Sequence, residues 1–259
     1  MAGDAGKGTG ITRMTIFDRQ LNILQSLNPM EVCGTTVGVS GLIITVNDFP
    51  VPVGSQCQIL RRSGQPLEAE VVGFQGHQAV IMPYDELVGV ATGDPVKCIT
   101  SRQHIPVGRQ LMGRVIDGFG NPIDDGPPIA AEDYYPLLNS APSATRRRRV
   151  TEPLGTGIRA IDSLTTAGRG QRMGIFAGPG VGKSVLLGMI ARYSDADVIV
   201  IALIGERGRE VRDFLERDLT DEGRKRAVVV VSTSDQAPVL RVRATLTATT
   251  VAEYYRDQG

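Results

Sequence analysis

The residues of this chain best suited to chemistry lie between Gly178 and Glu210. Gly178-Pro-Gly-Val-Gly-Lys-Ser184 places glycines at alternate positions, then a lysine and a hydroxyl. Read with Ala177 it is A-x-x-x-x-G-K-S, a P-loop with Ala in place of the usual first Gly. Glycines at 178, 180 and 182 let backbone N–H groups turn inward around phosphate oxygens with no side chain in the way. A helix opening at the same point adds roughly half a positive charge aimed at the anion. Lys183 is spaced to reach β- and γ-phosphates, and Ser184 to ligate Mg²⁺ through its hydroxyl. The candidate phosphate contacts are Gly178, Pro179, Gly180, Val181, Gly182, Lys183, Ser184 and Val185. A Gly-rich turn with a chance Lys-Ser would leave the coincidence of strand, loop and helix signals unexplained.

The second candidate is Gly205-Glu-Arg-Gly-Arg-Glu210, at the carboxyl end of the apolar run Val198–Ile204. In open α/β sheets, ligands sit at the carboxyl ends of the strands. Glu206 there can orient and polarise a water near a terminal phosphate, or it is a charge at a helix entry. Arg207 and Arg209 are placed to meet phosphates or a neighbouring subunit. Glu210 also fits the first turn of a helix, where acids are favoured. A second magnesium contact, usually an Asp ending another apolar strand, is not found. Asp235 reads as a helix cap, and Asp197 precedes its strand.

These residues need elements to hold them. Residues 151–259 alternate strand-like runs (Met173–Ala177, Val198–Ile204, Ala227–Val231) with helical stretches (Val185–Arg192, Arg209–Leu219). That alternation predicts a parallel sheet covered by helices. A last helix is expected from Pro238 toward Gln258, capped by Ser234 or Asp235. Residues 31–100 differ. Short β-branched runs (Thr35–Val39, Leu42–Val46, Ala69–Val72, Ala79–Met82, Pro95–Ile99) alternate with glycine turns, the pattern of a small all-β sandwich or barrel. Residues 101–150 read as connective, because Gly118, Gly120, Pro122, Gly126, Pro127 and Pro128 interrupt regular structure. The run Arg146–Arg149 within them is a solvated charge run, or a contact with an anion or a neighbouring subunit. Ahead of the barrel, Ile16, Phe17, Leu21, Leu24 and Leu27 recur at helical spacing and predict a short amphipathic helix. The expected organisation is a tail and helix over 1–30, a barrel over 31–104 and an α/β domain over 105–259.

Composition agrees with this layout. The chain has 259 residues, 41% hydrophobic and 22% charged, enough apolar content for a core and too much for a disordered chain. Its longest clean apolar run is far short of the ~20 residues of a spanning helix, and the first residues show no apolar leader. With 28 basic and 28 acidic residues the net charge is zero, without the basic footprint of a nucleic-acid binder. Cys33, Cys57 and Cys98 show no metal-ligand spacing. They read as small buried thiols in a reducing, cytoplasmic setting.

Several longer stretches resemble the flagellar type III export ATPases. They are Gly168-Arg-Gly-Gln-Arg-Met-Gly-Ile-Phe-Ala-Gly-Pro-Gly-Val-Gly-Lys-Ser184 with Leu187-Gly-Met-Ile-Ala-Arg192, Glu152-Pro-Leu with Thr156-Gly-Ile-Arg-Ala-Ile-Asp162, Ile204-Gly-Glu-Arg-Gly-Arg-Glu-Val211, Thr233-Ser-Asp-Gln236 and Ala252-Glu-Tyr-Tyr-Arg-Asp-Gln-Gly259. Virulence-type secretion ATPases are near relatives of that family, and the catalytic β subunit of rotary ATP synthases a more distant one. The resemblance implies an N-terminal barrel followed by a RecA-like P-loop ATPase core. It implies ATP and Mg²⁺ as ligands, Lys183 and Ser184 as phosphate and magnesium residues, Glu206 as the catalytic carboxylate and Arg207 near the γ-phosphate. It also implies a homo-hexamer with an arginine finger given in trans. The expected location is cytoplasmic, peripherally at the inner face of the cytoplasmic membrane. There the family engages export substrates, chaperones, a negative regulator, a stalk protein and the export gate, and no nucleic acid.

In that family the acidic magnesium strand begins just after the position of Gly259. The arginine finger, the adenine-contacting aromatic and a C-terminal helical domain lie further on. The expectation for these 259 residues is nucleotide binding with poor hydrolysis. Three other readings compete. A non-catalytic rotary subunit would carry an amide in place of Glu206. An RNA translocase would show stacking aromatics beside basic residues, where 31–100 has only Phe49, Phe74 and Tyr84 with scattered cations. An assembly module would leave the P-loop vestigial.

Overall fold

The computed structural model describes residues 31–178 and 180–259, so the expected helix over Ile16–Leu27 lies outside the described residues. The chain forms two compact units, residues 31–81 with 89–102, and residues 82–88 with 103–259.

The first unit is a closed barrel. Strands β1 (Cys33–Ser40), β2 (Ile43–Asn47), β3 (Gln56–Ile59), β4 (Leu67–Gln75), β5 (Gln78–Pro83) and β6 (Pro95–Thr100) are ordered β1-β2-β5-β4-β3-β6. Closure leaves no strand edge exposed. The alternation seen in the sequence sends Ile44, Val46, Ile59, Val71, Ile81 and Val96 inward, each fully buried. At roughly 1.5–3 kcal/mol per fully buried aliphatic side chain, this lining drives closure. Gly34 is required sterically, because a Cβ there would meet the Asn47 carbonyl and Val46 Cγ1 at 2.7 Å. The strand β3 is missed by the sequence reading. Its Gln-Cys-Gln-Ile has only two apolar residues, both inward, and polar partners outward. Cys57 and Cys98 are buried as expected, but Cys33 is exposed, since it sits on the outward side of β1.

The second unit is built on a parallel sheet of three strands. β11 (Ala227–Ser232) lies between β10 (Ile199–Ile204) and β8 (Val115–Ile116). All six residues of β11 are buried. Val228 and Val230 face one core with Ala244, Ala248, Val251 and Tyr254 of the long helix α5 (Pro238–Gln258). Val229 and Val231 face the other core, with Ala191, Leu203, Val211, Phe214 and Leu219. A strand covered on both faces reads as one continuous apolar run, as Ala227–Val231 does.

Residues 101–150 are more than connective. They hold β7 (His104–Val107) paired antiparallel with β9 (Asp133–Pro136), and β8, which joins the main sheet beside β11. Elements of two to four residues are too short to show a period, so glycine and proline density hid them. The stretch is fixed by charge as well. Asp124 accepts two hydrogen bonds from Arg114, at 2.9 and 2.7 Å, and one from the Val115 N–H at 2.9 Å. Its carboxylate is nearly buried, and the Arg114 guanidinium holds its pKa well below the usual range. Arg146–Arg149 are exposed throughout.

Three more expectations are corrected. The predicted strand Met173–Ala177 has no ladder, and Phe176 within it is 98% exposed. Neither edge of the three-stranded sheet pairs with it among the described residues, and an apolar run without a neighbouring edge has nothing to bond. The predicted helix Arg209–Leu219 is split into α3 (Gly208–Asp213) and a π-turn (Phe214–Leu219), followed by α4 (Thr220–Arg224). The start of α5 is not capped by Ser234 or Asp235. Pro238 is its first residue and Ala237, in extended conformation, precedes it, which puts both polar side chains one turn too early.

The helix α2 (Lys183–Tyr193) is clamped at its far end. Arg226 donates to the carbonyls of Ala191, Ser194 and Ala196 at 2.7–3.3 Å, satisfying acceptors that a helix end leaves open. Gly188 lets α2 touch the π-turn, since a Cβ there would lie 2.4 Å from the Asp218 carbonyl.

Two outcomes follow. Asp124→Asn should destabilise the second unit by about 3–5 kcal/mol at pH 7, because it strands the nearly buried Arg114 charge. Asp124 has its folded pKa depressed, so its stabilisation is present above the unfolded carboxyl pKa and is lost as pH falls through the folded one. Urea titrations at neutral and acidic pH should show the gap between wild type and variant closing only on the acid side. Gly188→Ala should cost about 1–3 kcal/mol through overpacking, read by the same titration.

Candidate functional site

The loop that precedes α2 is shaped by its glycines. Gly180 has φ +75° and Gly182 φ +94°, a left-handed geometry that glycine adopts without strain. A Cβ built on Gly178, Gly180 or Gly182 would meet nothing within 4 Å, so the space beside the loop is open. Pro179 lies outside the described residues. Gly182 is the N-cap of α2 and supplies no side-chain oxygen, so the first N–H groups of the helix are left without a side-chain acceptor. Val181, Lys183, Ser184 and Val185 are all exposed at this helix start. Exposed N–H groups, the positive end of an eleven-residue helix and an ammonium together suit a polyphosphate.

Glu206 follows β10 directly, and two backbone bonds set its place. The Gly205 N–H donates to the Ser232 carbonyl at 2.7 Å, and the Ser234 N–H donates to the Glu206 carbonyl at 3.0 Å. The ends of β10 and β11 are thereby tied together, with Ser232 Oγ bonded to Gln236 Oε1 at 2.8 Å. Glu206 Oε1 lies 4.0 Å from Lys183 Nζ, with both side chains partly exposed. The two motifs found separately in the sequence therefore converge in space.

The carboxylate of Glu206 is not isolated. Hydrogen bonding with the Glu210 carboxyl, and then burial, push its pKa up, while Lys183 pulls the other way. Glu210 is held low by that same bond and by Arg207, whose Nη1 donates to Glu210 Oε1 at 3.0 Å. Arg207 is the N-cap residue of α3, and its side chain is exposed. Arg209 points to Asp213 at 4.0 Å in an exposed pair of little energetic weight. The sequence reading treated Glu210 as ambiguous. Its three-residue spacing from Arg207, across the start of the helix, is the signal that these two side chains pair.

For magnesium the fit is partial. Ser184 presents a hard hydroxyl oxygen in the first turn of α2 beside an open cradle, the donor type that Mg²⁺ takes together with phosphate oxygens. Among the described residues no group of three or more His, Cys, Asp or Glu side chains could hold a metal ion by itself. A separate cleft of about 750 Å³ is lined by Ile161, Gln171, Met173, Phe176 and Leu186 among others, and by neither Lys183 nor Ser184. Upstream, Asp162 accepts from the Thr156 hydroxyl at 2.7 Å and from the Thr156 and Gly157 N–H groups, which shapes the turn into α1 (Arg159–Leu164) and lowers the Asp162 pKa.

Comparison with known proteins matches residues 36–99 to the ATP synthase alpha/beta family, beta-barrel domain, and residues 157–259 to the ATP synthase alpha/beta family, nucleotide-binding domain. The flagellum-specific ATP synthase of Treponema pallidum is 48% identical over 237 residues, covering 91% of this chain and 53% of that protein. That of Pseudomonas aeruginosa is 44% identical over 229 residues, covering 87% and 51%. The SPI-2 type 3 secretion system ATPase of Salmonella typhimurium is 49% identical over 209 residues, covering 80% and 47%. The chain thus spans about half the length of the curated relatives it matches. Among solved structures, the assembled ATPase EscN in complex with its central stalk EscO, from the enteropathogenic E. coli type III secretion system, superposes with a TM-score of 0.78. It shares 39% identity, over 87% of this chain and 55% of that one. A six-stranded barrel, a parallel α/β unit and a glycine loop opening a helix all agree with these matches, and the chain belongs to the ATP synthase alpha/beta family, in company with the flagellum-specific ATP synthases and type 3 secretion ATPases.

Proposed function

We propose that this chain is the ATP-binding portion of an ATPase that energises protein export through a flagellar type III apparatus. The observation that carries the reading is the meeting of Lys183, at the head of α2, with Glu206, at the end of β10, across an open glycine loop. In this reading residues 31–104 are the barrel and 105–259 the nucleotide-binding domain. Gly178, Gly180, Val181, Gly182 and Val185 cradle the phosphates through their backbone N–H groups, and Pro179, which has no N–H, completes the loop sequence. Lys183 neutralises the β- and γ-phosphates. Glu206 holds and polarises the attacking water, and Arg207 lies close to the γ-phosphate. Ser184 would hold Mg²⁺, whose chemistry is to neutralise phosphate charge as it develops.

The upward shift of the Glu206 carboxyl beside Glu210 supports this role. A carboxyl whose pKa lies above the ordinary range is a better proton acceptor than an exposed glutamate. The intact protein acts as a homo-hexamer, with a stalk protein at its centre and export substrates, chaperones and a negative regulator as partners. Support for assembly comes from the EscN–EscO complex. Its place is the cytoplasmic face of the export gate, peripherally at the membrane. No helix among the described residues is long and apolar enough to cross a membrane. A virulence-type secretion ATPase is the second reading, favoured by the 49% identity to the SPI-2 enzyme.

Calorimetry with Mg-ATP should show binding that Lys183→Ala weakens at least roughly 10- to 100-fold, the weight of charged hydrogen bonds to phosphate. No difference between the two proteins would remove the site. Phosphate release by the purified chain is expected near background, because no second acidic magnesium contact and no arginine finger are assigned within it. Turnover that Glu206→Gln abolishes would overturn that second expectation while leaving the site intact.

A further inference from the structure

The barrel holds a feature that nucleotide chemistry does not use. Cys57 on β3 and Cys98 on β6 are direct partners in the antiparallel register. Both side chains are directed into the barrel, 1% and 5% exposed. The kind of pair they form is fixed by their neighbours' hydrogen bonds. The Cys98 N–H donates to the Val32 carbonyl at 2.9 Å, toward β1, so Cys98 turns its backbone groups away from β3. On β3 the Leu60 N–H donates to the Pro95 carbonyl at 2.8 Å, which puts Leu60, and not its neighbour Ile59, in bonding phase with β6. By alternation Cys57 is out of phase, as Ile59 is.

Cys57 and Cys98 therefore face each other as a non-hydrogen-bonded antiparallel pair. In such pairs the Cα atoms are about 4.5 Å apart and the side chains are at their closest. A disulfide needs Cα atoms about 4.4–6.8 Å apart with converging Cβ vectors. A β-bulge between Gln56 and Cys57 adjoins the pair, a place where the local twist increases. Cys33, the third cysteine, lies on β1 opposite Lys97 and is exposed, so it faces the other side of the wall.

The geometry points to Cys57 and Cys98 as a disulfide-forming site, a latent covalent staple between β3 and β6 that an oxidant of the disulfide class closes. The step balances. One cysteine sulfur attacks the oxidant's disulfide, forms a mixed disulfide and releases one thiol. The second cysteine displaces the other half, leaving an S–S bond between Cys57 and Cys98. Two thiol protons and two electrons pass to the oxidant, which departs as two thiols. Burial pushes the Cys57 thiol up to about 12, with Cys98 and Glu70 adding to the shift. A thiol buried in this way reacts slowly near neutral pH, so the staple closes only under sustained oxidation.

The test uses the whole chain carrying Cys33→Ser, which removes the exposed thiol. The folded protein is held with oxidised glutathione, then unfolded, alkylated and weighed. The expected product has lost two hydrogen atoms, takes up no alkyl group, yields a linked Cys57–Cys98 peptide and reverts with dithiothreitol. Its barrel should melt several degrees higher than the reduced form. Cys98→Ser in the same background should retain one alkylatable thiol. Should that double variant fail to fold, the linked peptide of the Cys33→Ser chain decides alone. Two alkylatable thiols after prolonged oxidation, a glutathione on each cysteine, or a link between chains would each overturn the assignment.

Discussion

The second unit depends on the complete burial of one strand. β11 is an apolar run with a core on each face, and everything that carries the site leans on it. One core is shared with α5, the other with α2, α3 and the π-turn. A side chain lost from either face would leave a cavity between close-packed elements, and such cavities do not close fully. The strand therefore fixes the distance between helices on opposite faces. It also fixes where β10 ends, because the last bonded pair, Ile204 with Ser232, sits just before Glu206.

The site is the meeting of two chain reversals at the carboxyl edge of that sheet. One reversal is the glycine loop into α2, the other the Gly205 turn into α3. Their convergence requires α2 to lie at a set depth and angle. Gly188 sets the depth by allowing backbone contact with the π-turn, and Arg226 anchors the helix end by collecting its carbonyls. The lysine and the carboxylate are thus presented by rigid elements, while the loop between them stays open. That division suits a site that must hold a large anion in fixed orientation and still admit it.

Electrostatics within the site is graded. Lys183 faces Glu206, Glu210 pushes the Glu206 pKa up, and Arg207 pulls that of Glu210 down. Each charge is balanced by its neighbour. Exposed pairs such as Arg212–Glu216 and Arg209–Asp213 are of a different kind, since solvent screens them and they position nothing.

Much of this was legible in the sequence. The alternation of Ile44, Val46, Ile81 and Val96 gave the barrel, and the apolar runs Val198–Ile204 and Ala227–Val231 gave the two strands that pair in parallel. The glycine loop declared its chemistry by composition, since only glycine leaves room for backbone to surround phosphate. Local signals of this kind survive in one dimension because period, side-chain volume and left-handed φ are properties of residues and near neighbours. Pairing is not such a property. Met173–Ala177 has the composition of a strand and no ladder, whereas the two-residue β8 has no visible period and is a strand because β11 lies beside it. The 4.0 Å between Lys183 and Glu206 and the register that sets Cys57 against Cys98 belong to the same class. The sequence by itself determined which residues could do chemistry and which way each strand would face. Only the tertiary structure decided which of them meet, because contact between residues far apart in the chain is set by how the elements pack against one another.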